Sequence, residues 1–165
     1  DELLAAWSPQ LAREFNAVLA ICGDGALRDM VQEAEMRSEG SIAYLGAIAD
    51  STEVMRMADV LILPSHCESF GNVIVEALAS GLPVAATACG IAPRVLAGGR
   101  CGWLIAQAGR DAIGATLRTL FSESAVWEQK SAEGMAVVEQ FSIDRTADAY
   151  MDIYRQLLAD SRPGC

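Results

Sequence analysis

Short apolar runs, each halted by glycine or proline and each followed by a stretch of helical spacing, constrain this 165-residue chain more than any other feature. Ala17-Val18-Leu19-Ala20-Ile21-Cys22 stops at Gly23-Asp24-Gly25, Ile42-Ala43-Tyr44-Leu45 stops at Gly46, and Val60-Leu61-Ile62-Leu63 stops at Pro64. Pro83-Val84-Ala85-Ala86 and Trp103-Leu104-Ile105 continue the series. Runs this short, bounded by turn formers, read as strands. Because they are apolar throughout rather than at alternate positions, they are expected to be buried on both faces, as in a parallel sheet covered by helices.

The segments between them carry the helical period. Residues 2–14 place Leu3, Leu4, Trp7 and Leu11 on one side, with Pro9 as an interruption. Ala26 to Arg37 puts Leu27, Met30, Val31 and Ala34 on one face, and Ser51 or Thr52 is the expected cap of a short helix through Ala58. Asn72 to Ser80 and Pro93 to Ala97 read as two more helices. From Asp111 onward the pattern is helical over 111–121, 124–140 and 143–159, with Ser142 as the cap of the last. Strands alternating with helices predict an α/β fold: one domain spanning 1–165, a doubly wound, Rossmann-like parallel sheet with helices on both faces and a helical tail. Its 52% hydrophobic content supplies the core. No internal repeat is visible.

Charge narrows the function. With 12 Lys+Arg against 22 Asp+Glu the net charge is -10, and the basic residues are scattered from Arg13 to Arg162. A nucleic-acid binder displaces counterions with clustered positive charge, so that class is disfavoured, and an anionic membrane surface with it. Five dispersed cysteines (Cys22, Cys67, Cys89, Cys101, Cys165) contain no C-x-x-C pair, which reads as reduced thiols rather than a disulfide framework. One histidine, His66, and no paired cysteines argue against structural zinc. No apolar run has the length of a transmembrane helix, and the acidic start is unlike a signal peptide, so a soluble cytoplasmic domain is expected.

In doubly wound sheets ligands bind at the carboxyl ends of the strands. Gly23-Asp24-Gly25 follows a strand and precedes a helix, where glycines admit a phosphate close to the backbone. The dinucleotide fingerprint needs a third glycine where Arg28 stands, so a plain tight turn is the competing reading. The loop from Pro64 to Gly71 is richer. It brings Glu68 before, and Glu76 after, the expected helix start at Asn72. Glu76 lies among Val, Ile, Ala and Leu, where an ionised carboxylate costs several kcal/mol unless paired. It is expected to meet a distant Arg or to await hydroxyl donors on a ligand. Two carboxylates bracketing a helix N-terminus suit a ligand with anionic oxygens and sugar hydroxyls. A paired-carboxylate hydrolase, or caps plus a satisfied core Glu, are the other readings of the same residues.

The segment from Ala58-Asp59-Val60 to Pro83-Val84 resembles the donor-binding segment of the group 1 glycosyltransferases, retaining enzymes of two-domain GT-B architecture. Glu68 and Glu76 match that family's Glu-x7-Glu motif. Ile21-Cys22-Gly23-Asp24-Gly25, Tyr44-Leu45-Gly46, Ala58-Asp59 and Gly102-Trp103-Leu104-Ile105 fall in the family's order. Other Rossmann domains rarely combine these elements.

The resemblance implies a donor-binding domain for a UDP- or GDP-sugar, half of a GT-B enzyme. Glu76 would hold ribose hydroxyls, and Glu68, the one catalytic assignment, hydroxyls of the transferred sugar. Backbone N–H groups of Phe70, Gly71, Asn72 and Val73 would receive sugar and diphosphate oxygens, with Ser65 beside them. Tyr44, Leu45 and Gly46 would lie against the base, and Gly23 and Gly25 would line the cleft. The acceptor is expected to be a glycan or glycolipid, and no cofactor or metal is implied. The family's first strand, with its Arg and Lys for the diphosphate, and its amino-terminal acceptor domain are expected to lie outside this chain, which alone would transfer nothing. The family's Gly-Gly-x-x-Glu region reads Cys89-Gly90-Ile91-Ala92-Pro93-Arg94, with Arg94 in place of Glu and expected to face Glu76 or a phosphate.

Single residues have plainer readings. His66 is expected to be a solvated loop residue, and Trp7, Trp103 and Trp127 packing anchors. Nucleophilic chemistry at Cys67 is disfavoured, since only His66 is near as a base. The last helix, with Ala147, Tyr150, Met151, Tyr154 and Leu157, is amphipathic, and part of its apolar face is expected to be exposed. Two other classes compete: an interaction module that kept the fold but lost the donor, and a sugar-nucleotide epimerase or phosphorylase of the same fold. A phosphorylase needs a cofactor-binding Lys, and Lys130, the only lysine, lies in the helical tail.

Overall fold

A computed structural model of the chain describes residues 1–96 and 98–160; Ala97, Arg162 and Cys165 lie outside the described residues. The order is α1 (Glu2–Ala6), α2 (Pro9–Phe15), β1 (Leu19–Cys22), α3 (Arg28–Arg37), β2 (Ile42–Gly46), α4 (Thr52–Met57), β3 (Leu61–Leu63), α5 (Asn72–Ala79), β4 (Val84–Thr87), α6 (Ala92–Leu96), β5 (Gly102–Ile105), α7 (Arg110–Ser122), α8 (Trp127–Val138) and α9 (Ile143–Asp160). Short 3-10 turns at Ser124–Val126 and Glu139–Phe141 flank α8.

All the strand pairs are parallel, as the apolar runs predict. They form two sheets rather than one continuous sheet: β1 with β2, and β3-β4-β5. Leu19 stands opposite Ile42 in the first, and Val84 lies between Leu61 and Gly102 in the second.

Helices cover both faces. In β4, Val84 and Ala86 turn toward a cluster with Met55 of α4, Ile74 and Leu78 of α5 and Leu96 of α6. Ala85 turns the other way, toward Trp7 at the end of α1, Leu11 of α2 and Ile113, Leu117 and Leu120 of α7. This second cluster also takes in Leu19 and Ile42, so both sheets share one core. Trp7 and Trp103 are buried in it and Trp127 packs against it, the anchoring role expected of all three.

Among the strands of the described residues, β4 alone is buried along its whole length. In β1 the residues Ala20 and Cys22 are exposed, and every residue of β3 is partly exposed, contrary to strands sealed on both sides. Among the described residues β1 bonds only to β2, and β3 only to β4, so each leaves an edge open, and Ala20 and Cys22, two positions apart, share one exposed face of β1. The apolar face of α3 is only half covered: Leu27, just before the helix, and Met30 are exposed, while Val31 is half-buried and Ala34 packs against the second cluster.

The caps explain several boundaries. Ser8 accepts the Leu11 N–H and Pro9 fills the first turn of α2, so the expected interruption separates two helices. Ser51 stands at the N-cap of α4 but makes no side-chain cap bond; Asp50 Oδ1 accepts the Thr52 N–H at 2.8 Å instead. Ser142 does begin α9, its hydroxyl accepting from the Arg145 N–H.

Candidate functional site

The loop between β3 and α5 is held by the loop after β4. The Phe70 carbonyl accepts the Ile91 N–H at 2.7 Å. A side-chain carbon placed on Gly90 would lie 2.4 Å from the Phe70 carbonyl oxygen, so the two loops meet only because that position has none. Thr87 donates its hydroxyl to the Ser65 carbonyl, and the Cys89 thiol does the same at 3.6 Å. The Ser65 hydroxyl in turn donates to Glu68 Oε1 at 2.7 Å, fixing a half-buried carboxylate.

Gly71 then turns the chain into α5 with φ +90, a left-handed conformation that favours glycine. No side chain among the described residues caps this helix. The Ile74 N–H reaches back to the Gly71 carbonyl, while those of Asn72 and Val73 have no backbone partner within the helix. A helix start with open N–H groups attracts anionic oxygens.

Glu76 does not sit in an apolar environment, as its sequence neighbours led us to expect. Asn72, Glu76 and Ala79 are exposed at helical spacing, while Ile74, Ala77 and Leu78 are fully buried on the opposite side. Burying Ile74 and Leu78 stabilises the helix position by about 1.5–3 kcal/mol each. Glu76 therefore contributes nothing needed for packing. Among the described residues its carboxylate has neither an ion pair nor a hydrogen bond, which leaves it free for a ligand.

Arg94 meets neither Glu76 nor an open anion site. Its guanidinium donates to Gln140 Oε1 at 3.1 Å and lies over the Phe141 ring, 5.5 Å from the centroid. Phe141 stands edge-on to Phe70.

A second group forms at the ends of β1 and β2. Gly23 donates its N–H to the Gly46 carbonyl at 2.7 Å, and the Tyr44 hydroxyl donates to the Gly23 carbonyl at 3.0 Å. Tyr44, Leu45 and Gly46 are the last residues of β2. The Tyr44 N–H is occupied by Glu35 and the Gly25 N–H by Asp24, which also pairs with Arg28 at 3.2 Å. No hydrogen bond or ion pair among the described residues joins this group to the loop of Glu68. Both stand at the carboxyl ends of parallel strands.

His66 is exposed, as expected, and its Nε2 lies 2.9 Å from Glu2 Oε1, tying the loop to α1. Cys22, Cys67, Cys89 and Cys101 are free thiols. Two shallow clefts, of about 240 Å³ against α9 and about 420 Å³ beside β5, lie away from both groups. Thr87, Ile91 and Phe141 escaped sequence reasoning. A threonine ending a strand and a lone aromatic before a cap carry no signal of which loop they will touch.

The family described as glycosyl transferases group 1 matches residues 1–123. N-acetyl-alpha-D-glucosaminyl L-malate synthase of Bacillus anthracis is 27% identical over 160 residues, 94% of this chain and 42% of that protein. D-inositol 3-phosphate glycosyltransferase of Gordonia bronchialis is 36% identical over 136 residues, 81% of this chain and 29% of that protein. The structure of Anabaena HepE in complex with UDP superposes with a TM-score of 0.73 at 25% identity, covering 95% of this chain and 43% of that one. The chain thus spans less than half the length of each of these proteins.

Proposed function

The chain belongs to the group 1 glycosyl transferases, and from that premise we propose that it is the part of such an enzyme that binds a nucleoside-diphosphate sugar. One observation carries the reading: an exposed, unpaired Glu76 and a hydrogen-bonded Glu68 stand on either side of a helix start whose first N–H groups are open. The N–H groups of Gly71, Asn72 and Val73 take diphosphate oxygens. Glu76 accepts hydrogen bonds from ribose hydroxyls, and Glu68 from hydroxyls of the transferred sugar. Tyr44, Leu45 and Gly46 lie against the base and Gly23 and Gly25 along the cleft. The complex of HepE with UDP favours UDP over GDP as the nucleotide.

In transfer, an acceptor hydroxyl of a glycan or glycolipid attacks the anomeric carbon while the bond to the diphosphate oxygen breaks. Negative charge grows on the leaving oxygen, and N–H groups aimed there lower the barrier without reorganising. Retention of configuration follows the family pattern, and the reaction uses no metal in this reading. Polypeptide beyond these residues supplies the acceptor site. It also supplies a parallel strand for the open edges of β1 and β3, bringing basic side chains to the diphosphate. The apolar face of α9, with Tyr150, Ile153 and Tyr154 exposed, packs on that second half.

Calorimetric titration with UDP, on the wild type and Glu76→Gln, tests the reading. A charge-assisted hydrogen bond contributes about 1.5–3 kcal/mol, so Glu76→Gln should weaken binding about tenfold or more. An exposed residue without partners changes stability by less than about 0.5 kcal/mol, so the melting temperature should hold. Collapse of the melt with unchanged affinity would make Glu76 a structural residue and remove the pocket.

A further inference from the structure

Phe141 stands where three parts of the molecule meet. Its ring lies edge-on to Phe70, with centroids 6.1 Å apart and planes at 80°. Arg94 of α6 lies over the same ring and holds the preceding residue, Gln140, by a hydrogen bond. Phe70 belongs to the loop that carries Glu68 and leads into Gly71, and the residue is 40% exposed. Phe141 gives that ring an aromatic partner.

The next residue, Ser142, is extended (φ -61, ψ 149), and α9 starts immediately after it. Every described side chain of α9 beyond this point is exposed, so its direction from the body is set at this turn. The root of α9 and the loop of Glu68 therefore share one contact.

We propose that Phe141, clamped by Arg94, is a positioning residue for the loop from Glu68 to Gly71, and that it links the seating of this loop to the direction of α9. The proposal rests on the donor reading above. A loop held in its binding conformation loses less entropy when ligand arrives, so loosening Phe70 weakens affinity without removing any group that touches the ligand. Reorienting α9 shifts Phe141 and thereby the loop.

The test combines UDP titration with amide hydrogen exchange at Ile91, whose N–H is bonded to the Phe70 carbonyl. Phe141→Ala should weaken UDP binding about twofold to tenfold, the range for losing one aromatic pair, and speed exchange at Ile91 while β4 stays protected. Phe141→Tyr should restore both, and Arg94→Ala should give a smaller loss of the same sign. Unchanged affinity and unchanged Ile91 exchange in Phe141→Ala overturn the positioning role while leaving the donor reading intact. Loss of protection in β4 along with Ile91 also overturns it, by making the effect global. If Phe141→Ala does not fold, Phe141→Leu, which keeps bulk but not the ring edge, serves for the same comparison. If the wild type takes up no UDP, or Glu76→Gln binds as well as the wild type, the donor reading fails instead, and Ile91 exchange alone decides whether Phe141 holds the loop.

Discussion

Gly90 and Phe70 come so close that a side-chain carbon on Gly90 would sit 2.4 Å from the Phe70 carbonyl oxygen and 2.9 Å from Glu68 Cβ. Gly90 also has φ +55, so an L side chain there is strained as well as obstructed. The contact joins the loop carrying Glu68 to the loop preceding α6, and it makes Gly90 a residue on which the proposed site depends.

Gly90→Ala should therefore destabilise the domain by about 1–3 kcal/mol, through backbone strain and displacement of Phe70. It should also lower UDP affinity. Gly25→Ala is the control, because a carbon there meets nothing within 4 Å and no positive φ is needed. Urea denaturation of the two variants checks the contrast. Equal stabilities would show that the loops separate at no cost.

Ser65→Ala removes the hydrogen bond that holds Glu68 at 2.7 Å. The stability loss should be about 1 kcal/mol, as for one ordinary hydrogen bond. Because Glu68 is assigned to the sugar and not to the nucleotide, affinity for UDP should hold while affinity for a UDP-sugar falls. Parallel titrations with the two ligands read the difference. A fall in both places Glu68 at the nucleotide instead.

Acid should act through two carboxylates, the half-buried Glu2 and the exposed Asp50. The Glu2 carboxyl is held below its ordinary value of 4.5, first by its own backbone N–H and then by the His66 hydrogen bond. Asp50 is held below 3.8 by the Thr52 side chain and N–H. A depressed folded value means stability that is present above the ordinary value and lost as pH falls through the folded one. The contributions of both contacts should thus be present at neutral pH and be lost progressively as pH falls below the ordinary values of 4.5 and 3.8. Glu2→Gln and Asp50→Asn should lose stability relative to the wild type at pH 7, and the gap should narrow as the solution is acidified, measured by urea denaturation. A gap that stays constant on acidification would rule out this origin.

Cys101 is buried, and burial raises its thiol above the ordinary 9.0, with Glu133 adding to the effect. A raised value means stability present below pH 9.0 and lost as pH climbs through the folded value. A thiol reagent at pH 8 should modify the exposed Cys67 promptly and Cys101 only as fast as the core opens. Equal rates at the two would contradict the burial. Adding urea should accelerate modification of Cys101 far more than that of Cys67.

The sheet-forming runs and the helices between them were legible because each depends on its own residues. Val60 to Leu63 is too short and too apolar for anything but a strand, and Pro64 ends it wherever it lies. Glu68 and Glu76 were legible too, since their spacing about the helix start is a local property. The environment of Glu76 was not. Its neighbours in sequence are apolar, yet Ile74 and Leu78 turn inward while Glu76 turns out with Asn72 and Ala79. The mean character of a helix does not tell which side of it is covered. Arg94 shows the same limit: its partner Gln140 is 46 residues away.

Local chemistry in the sequence thus determined the alternation of strands and helices, their stops, and the two carboxylates flanking the start of α5. Tertiary structure alone decided that the strands divide into two sheets, that Glu76 faces outward, and that Gly90 and Phe141 hold Phe70. Turns and periodicity arise from forces between residues a few positions apart. Burial, edge pairing and loop contacts arise between segments tens of residues apart, which only packing of the whole chain brings together.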